Sequence, residues 1–83
     1  MKLPRDLGGV ELAVLLGKYG YHITRQTGSH LRLTSVYNQN REHHLTIPQH
    51  KPLRVGTLNG IVNEVVAYFE MEKQDLIDDL FGR

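Results

Sequence analysis

The chain has 83 residues, enough for one modest core. It has no cysteine and no apolar run approaching ~18 residues, which excludes disulfides, thiolate metal sites and a membrane-spanning helix. Net charge is +1, but residues 1–54 carry eight Lys/Arg against three Asp/Glu (+5), and residues 55–83 carry two against six (−4). That split points to a polyanion on the basic side. A single domain over residues 1–83 is expected, with a cytoplasmic home as the default for a cysteine-free chain. Residues 1–6 lack the apolar centre of a signal peptide.

In chain order, Leu3-Pro4 is an extended lead-in, because the residue before proline avoids the helical region. Leu12, Leu15, Leu16 and Tyr19 recur at helical spacing and predict a helix over residues 9–19. Gly8 takes its N-cap place with Glu11 three residues on, a weakened capping box. Gly17 costs roughly 1 kcal/mol against alanine inside it, and Gly20 ends it. Residues 21–27 alternate, with Tyr21 and Ile23 inward and His22, Thr24 and Gln26 outward. Gly28-Ser29 turns the chain. In the next strand, residues 30–37, Leu31 and Leu33 face in and His30, Arg32 and Thr34 face out.

Asn38-Gln39-Asn40 is a second turn. Residues 42–48 form a third strand, with Leu45 and Ile47 inward and His44 and Thr46 outward. Connections this short require antiparallel neighbours. A basic loop follows at residues 49–56, then a helix capped by Thr57 with Leu58, Ile61, Val62, Val65 and Phe69 along one stripe. The chain breaks or bends at Glu70-Met71-Glu72. Residues 73–81 form a short last helix with Leu76, Ile77, Leu80 and Phe81 on one side. The fold class is therefore α+β: helix, three-stranded antiparallel sheet, helix, short C-terminal helix. The outer sheet face is expected to be polar and rich in histidine, with no acid among its assigned positions.

Candidate chemistry gathers at Arg25-Gln26-Thr27-Gly28-Ser29-His30-Leu31-Arg32. A histidine held by a tight hairpin between guanidinium groups suits work on a phosphodiester. Imidazole changes charge near neutrality and can take a hydroxyl proton. Arg32, Arg25 or Lys51 would neutralise the charge that grows on an attacked phosphate. Gly28 supplies backbone shape, and Ser29 offers a hydroxyl to a phosphate or simply completes the turn. His50 beside Lys51 is a phosphate contact or a loop residue. Lys2, Arg5, Lys18, Arg41 and Arg54 are most simply solvated charges, or a track for a nucleic-acid backbone. No metal site is expected, since His43 and His44 point to opposite faces and no cysteine helps. Tyr37 is the one candidate for stacking on a base.

The segment Thr27-Gly28-Ser29-His30-Leu31-Arg32 resembles the Gly-Ser-His hairpin of the HicA (YcfA-like) messenger-RNA interferase toxins. Residues 1–7 look like that family's opening. Residues 45–53 look like its third strand and loop, and residues 56–61 like the start of its second helix. The four stretches keep order and spacing over about residues 1–69. Gly8, where the family often has a hydroxyl residue, and Gly17 depart from the pattern. The resemblance implies a fold like the double-stranded-RNA-binding domain. It implies ribosome-independent, metal-independent cleavage of mRNA that depends on His30, without a cofactor. It also implies a HicB-type antitoxin that covers the site, hence a hetero-oligomer, with no membrane partner. The competing readings are a non-catalytic RNA-binding module and an antitoxin-binding module of the same fold. Against the duplex-RNA binder, Thr57-Leu58-Asn59-Gly60 carries no lysine to grip phosphates.

Overall fold

The computed structural model describes residues 3–38 and 41–82. Helix α1 spans Gly9–Leu16 and tightens into a 3₁₀ turn at Gly17–Tyr19. Strands β1 (His22–Thr27), β2 (His30–Asn38) and β3 (Arg41–Pro48) follow, then helices α2 (Val55–Phe69) and α3 (Lys73–Phe81). The sheet is antiparallel in the order β1-β2-β3. The expected α+β layout is present in full. The second turn falls on Asn38-Gln39-Asn40, of which residues 39 and 40 lie outside the described residues, as do Lys2 and Arg83.

The helices cover one sheet face. Leu31, Leu33, Leu45 and Ile47 meet Leu12 and Leu16 of α1, Leu58, Val62 and Val65 of α2, and Leu76 of α3 in one core. At the start of α1, the Gly8 N–H donates to Glu11 Oε1 at 2.6 Å. This is half a capping box, since glycine has no side chain to answer. Gly20, at φ +83°, ends the 3₁₀ turn in the left-handed conformation. Helix α3 is pinned from outside the core: the Tyr19 hydroxyl donates to Asp79 Oδ2 at 2.6 Å, and Lys18 Nζ lies 3.4 Å from Asp79 Oδ1.

Four expectations change. Ile23 is 50% exposed, because β1 is an edge strand whose pairing register shifts between Ile23 and Arg25. Residues directly opposite one another share a face, and beyond the shift Gln26 pairs with buried Leu31 while Arg25 pairs with Arg32. Gln26 is therefore on the helix side and Arg25 on the open side, the reverse of simple alternation. Helix α2 begins at Val55, with Arg54 in extended conformation as its N-cap, so Thr57 stands inside the first turn. Tyr37 belongs to the helix side of β2, where its ring lies 4.7 Å from Phe69, and so offers no stacking surface on the open face.

Candidate functional site

The open face of the sheet is built in rows across the strands. Thr27, His30 and Pro48 form the row at the hairpin end. Arg25, Arg32 and Thr46 form the next, and His22, Thr34 and His44 the third. Two residues of strand separate neighbouring rows, about 7 Å. Glu42 follows His44 by alternation and brings an acid to the far end of the face, at a position not among those assigned to it from sequence. Its Oε1 lies 3.4 Å from His44 Nε2.

His30 opens β2 immediately after the turn, exposed to solvent. Gly28 has φ +55° with nothing within 4 Å of where a Cβ would stand, so its requirement is conformational, not steric. The Ser29 carbonyl accepts the Gln49 N–H at 2.6 Å, which ties the hairpin to the loop after β3. That loop is in turn tied to α1, because the Gly9 N–H donates to the His50 carbonyl at 2.9 Å. The His30 ring makes no hydrogen bond or ion pair among the described residues.

The structure brings Arg25 and Arg32 together and places them one row from His30. His22, Thr24, Thr34, Val36, Glu42 and His44 complete the shallow depression that the two arginines line. Thr34 is nearly buried on its floor, where its hydroxyl meets Thr24 Oγ1 at 3.0 Å and His44 Nδ1 at 2.9 Å. His50 and Lys51 stand apart from this face. They line a second depression with Glu11 at the start of α1. Lys51 Nζ donates to Glu11 Oε2 at 3.1 Å, so its charge is partly answered. The Gly8 N–H, and then Lys51, hold the Glu11 carboxyl below the usual carboxylate range.

His43 and His44 point to opposite faces, as their alternation requires. His43 stacks on Tyr68 with ring centroids 4.7 Å apart, and its Nδ1 meets the Tyr21 hydroxyl at 2.6 Å. Burial pushes the His43 imidazole below its ordinary value, while Glu64, 3.8 Å away but largely exposed, pulls the other way and loses. The same burial drives the Tyr21 phenol up. Among the described residues no three His, Cys, Asp or Glu side chains are grouped to hold a metal ion, and no helix is long and apolar enough to cross a membrane.

Alternation found His30, Arg32 and His44 on this face. It missed Arg25's row, which depends on the register shift, and Glu42, whose position in β3 already carried the signal.

No curated protein and no solved structure gives a significant match to the chain. A family model, described as the HicA toxin of bacterial toxin-antitoxin systems, matches residues 9–66. The matched stretch runs from the first residue of α1 almost to the end of α2 and includes the whole sheet and the Gly28-Ser29-His30 hairpin. With well over half of its length under that match, the chain belongs to the HicA toxin family of bacterial toxin-antitoxin systems.

Proposed function

We propose that the protein is an endoribonuclease that cleaves mRNA independently of the ribosome, with His30 as its one catalytic group and no metal in the step. The observation that carries this reading is the position of His30. It is exposed at the hairpin end of the open sheet face, its ring engaged by no other described residue, one row from Arg25 and Arg32. Membership of a toxin family supports it. So does the helix–three strands–helix order, which is the layout of a double-stranded-RNA-binding domain.

In this reading the neutral imidazole of His30 accepts the proton of an RNA 2′-hydroxyl. The 2′-oxygen bonds to the adjacent phosphorus, and the bond from phosphorus to the 5′-oxygen breaks. The leaving 5′-oxygen takes a proton from water. The products are a 2′,3′-cyclic phosphate, which water can open to a 3′-phosphate, and a 5′-hydroxyl. Arg32, one row from His30 on the same strand, adds positive potential that favours the extra charge on the phosphorus oxygens in the transition state. Gly28 and Ser29 shape the turn that presents His30. Arg25 extends the basic surface along which the rest of the strand lies, and His50 and Lys51 offer a separate basic contact beside the start of α1. An antitoxin of the HicB type covers this face and makes a hetero-oligomer with the toxin in the cytoplasm.

End-group analysis tests the chemistry. RNA cut by the protein is expected to carry 5′-hydroxyl and 2′,3′-cyclic or 3′-phosphate ends, and fully 2′-O-methylated RNA is expected to survive intact. Ends with a 5′-phosphate, or cleavage of the methylated strand, would overturn it.

A further inference from the structure

Arg25 and Arg32 stand directly opposite one another on antiparallel strands. Like charges in that position repel. The arrangement exists because Thr24 is an extra residue between the paired positions Ile23 and Arg25. Were Thr24 instead in regular pairing, strand alternation would send Arg25 to the helix side. Thr24 is held by its own hydroxyl, which meets Thr34 Oγ1 at 3.0 Å and donates to the Arg32 carbonyl at 3.4 Å. A β-bulge that re-aims a side chain is a recurrent device beside functional sites. Here its effect is to gather two positive charges that would otherwise be apart.

Neither guanidinium has a carboxylate within ion-pair distance among the described residues. Both are exposed and line the same depression. The one carboxylate in its lining, Glu42, lies at the opposite end against His44 Nε2, and His44 Nδ1 is engaged by Thr34. The groups left to take a ligand are therefore the two guanidiniums and the ring of His22. Paired guanidinium forks match the oxygens of a phosphate in geometry as well as charge. His30 is not part of this lining but stands in the next row of the same face.

We infer that the depression is a subsite for a backbone phosphate of the RNA that does not react, the one beside the scissile linkage, clamped between Arg25 and Arg32. The inference rests on the endoribonuclease reading and deepens it. Carboxylates of a protein partner would answer the same charges. Continuity with the His30 row favours the phosphate.

The test uses the full chain with His30→Ala, so that bound RNA stays intact, and a short single-stranded RNA followed by fluorescence anisotropy. Adding Arg25→Ala is expected to weaken binding roughly tenfold, the size of one lost charge-assisted hydrogen bond. The salt dependence should also flatten by about 0.7 in log–log slope, one phosphate contact on a single strand. Thermal stability should hold or rise, since a repulsion is removed. In the cleaving protein, Arg25→Ala should raise KM with little change in kcat. Affinity within twofold of the parent overturns the subsite, as does displacement of the RNA by a hexaglutamate peptide at equal concentration. The two readings fail separately. Cleavage with an unchanged KM in Arg25→Ala removes the subsite and leaves His30 in place. An inactive wild type removes the nuclease reading, while a loss of RNA affinity in Arg25→Ala would still mark a phosphate site.

Discussion

His43 and His44 are neighbours in sequence with opposite surroundings. His44 belongs to the open face. His43 is wedged between Tyr21, Tyr68 and Glu64, its side chain 20% exposed. Because burial favours the neutral ring, the unfolded chain binds this proton more readily than the folded one. His43 therefore contributes full stability above about pH 6.5, the ordinary imidazole value. That contribution declines as pH falls through that value towards the lowered native one. Thermal unfolding between pH 8 and 5 should show wild type losing stability more steeply than His43→Gln. Parallel profiles would show that the buried ring is not what titrates. Asp79 acts in the same direction but at lower pH. The Tyr19 hydroxyl, and then Lys18, hold its carboxyl low, so the tie between the 3₁₀ turn and α3 weakens only in acid, as that carboxyl takes a proton. Burial, and then the same pairing, raise the Tyr19 phenol to about 12.

At the scale of elements, the start of α1 and the end of β3 define each other. A Cβ on Gly9 would be driven into the Pro48 carbonyl oxygen, which is backbone and cannot yield locally. Gly9→Ala should cost about 2 kcal/mol, in the range of overpacking, and lower Tm by roughly 10 °C. It should also loosen the 49–51 loop that holds the hairpin through Ser29. Gly17 is the contrast: it has right-handed helical angles and nothing within 4 Å of a Cβ. Gly17→Ala should gain about 0.5–1 kcal/mol. Paired thermal melts check both, and equal Tm values for the two variants would contradict this packing account.

The existence and order of every element were legible, because helical stripes such as Leu58, Ile61, Val62 and Val65 and the alternation of β2 and β3 are strong periodic signals. Position within elements was less so. Thr57 reads as a cap, yet α2 starts earlier, since Arg54 caps it through backbone shape alone, without a side-chain bond. The bulge at Thr24 had no sequence signature. It is set by hydroxyl contacts with β2, and it moved Arg25 onto the site and Gln26 off it. His30 was legible as a hairpin histidine. So was its place near Arg25 and Arg32, but not their direct opposition across the strands.

For the whole molecule, the +5 and −4 halves of the sequence take separate places. The basic half supplies the sheet and its open face, while the acids Glu64, Glu70, Glu72, Asp75, Asp78 and Asp79 belong to α2, α3 and the bend between them. In the proposed reading a strand of RNA would be drawn to the open face and repelled by the helical side, an effect that salt would weaken. The family match ends at residue 66, before α3, although α3 contributes Leu76, Ile77 and Leu80 to the core. The last helix therefore completes the hydrophobic layer behind the sheet, opposite the face proposed to carry the chemistry.

The most direct measurement compares purified wild type with His30→Ala on a long single-stranded RNA in EDTA, with circular dichroism to establish that both are folded. The account predicts cleavage by wild type and a loss of at least ~10²-fold in the variant, the scale of one general base. Equal cleavage by a folded His30→Ala protein, or intact RNA with folded wild type, would contradict it.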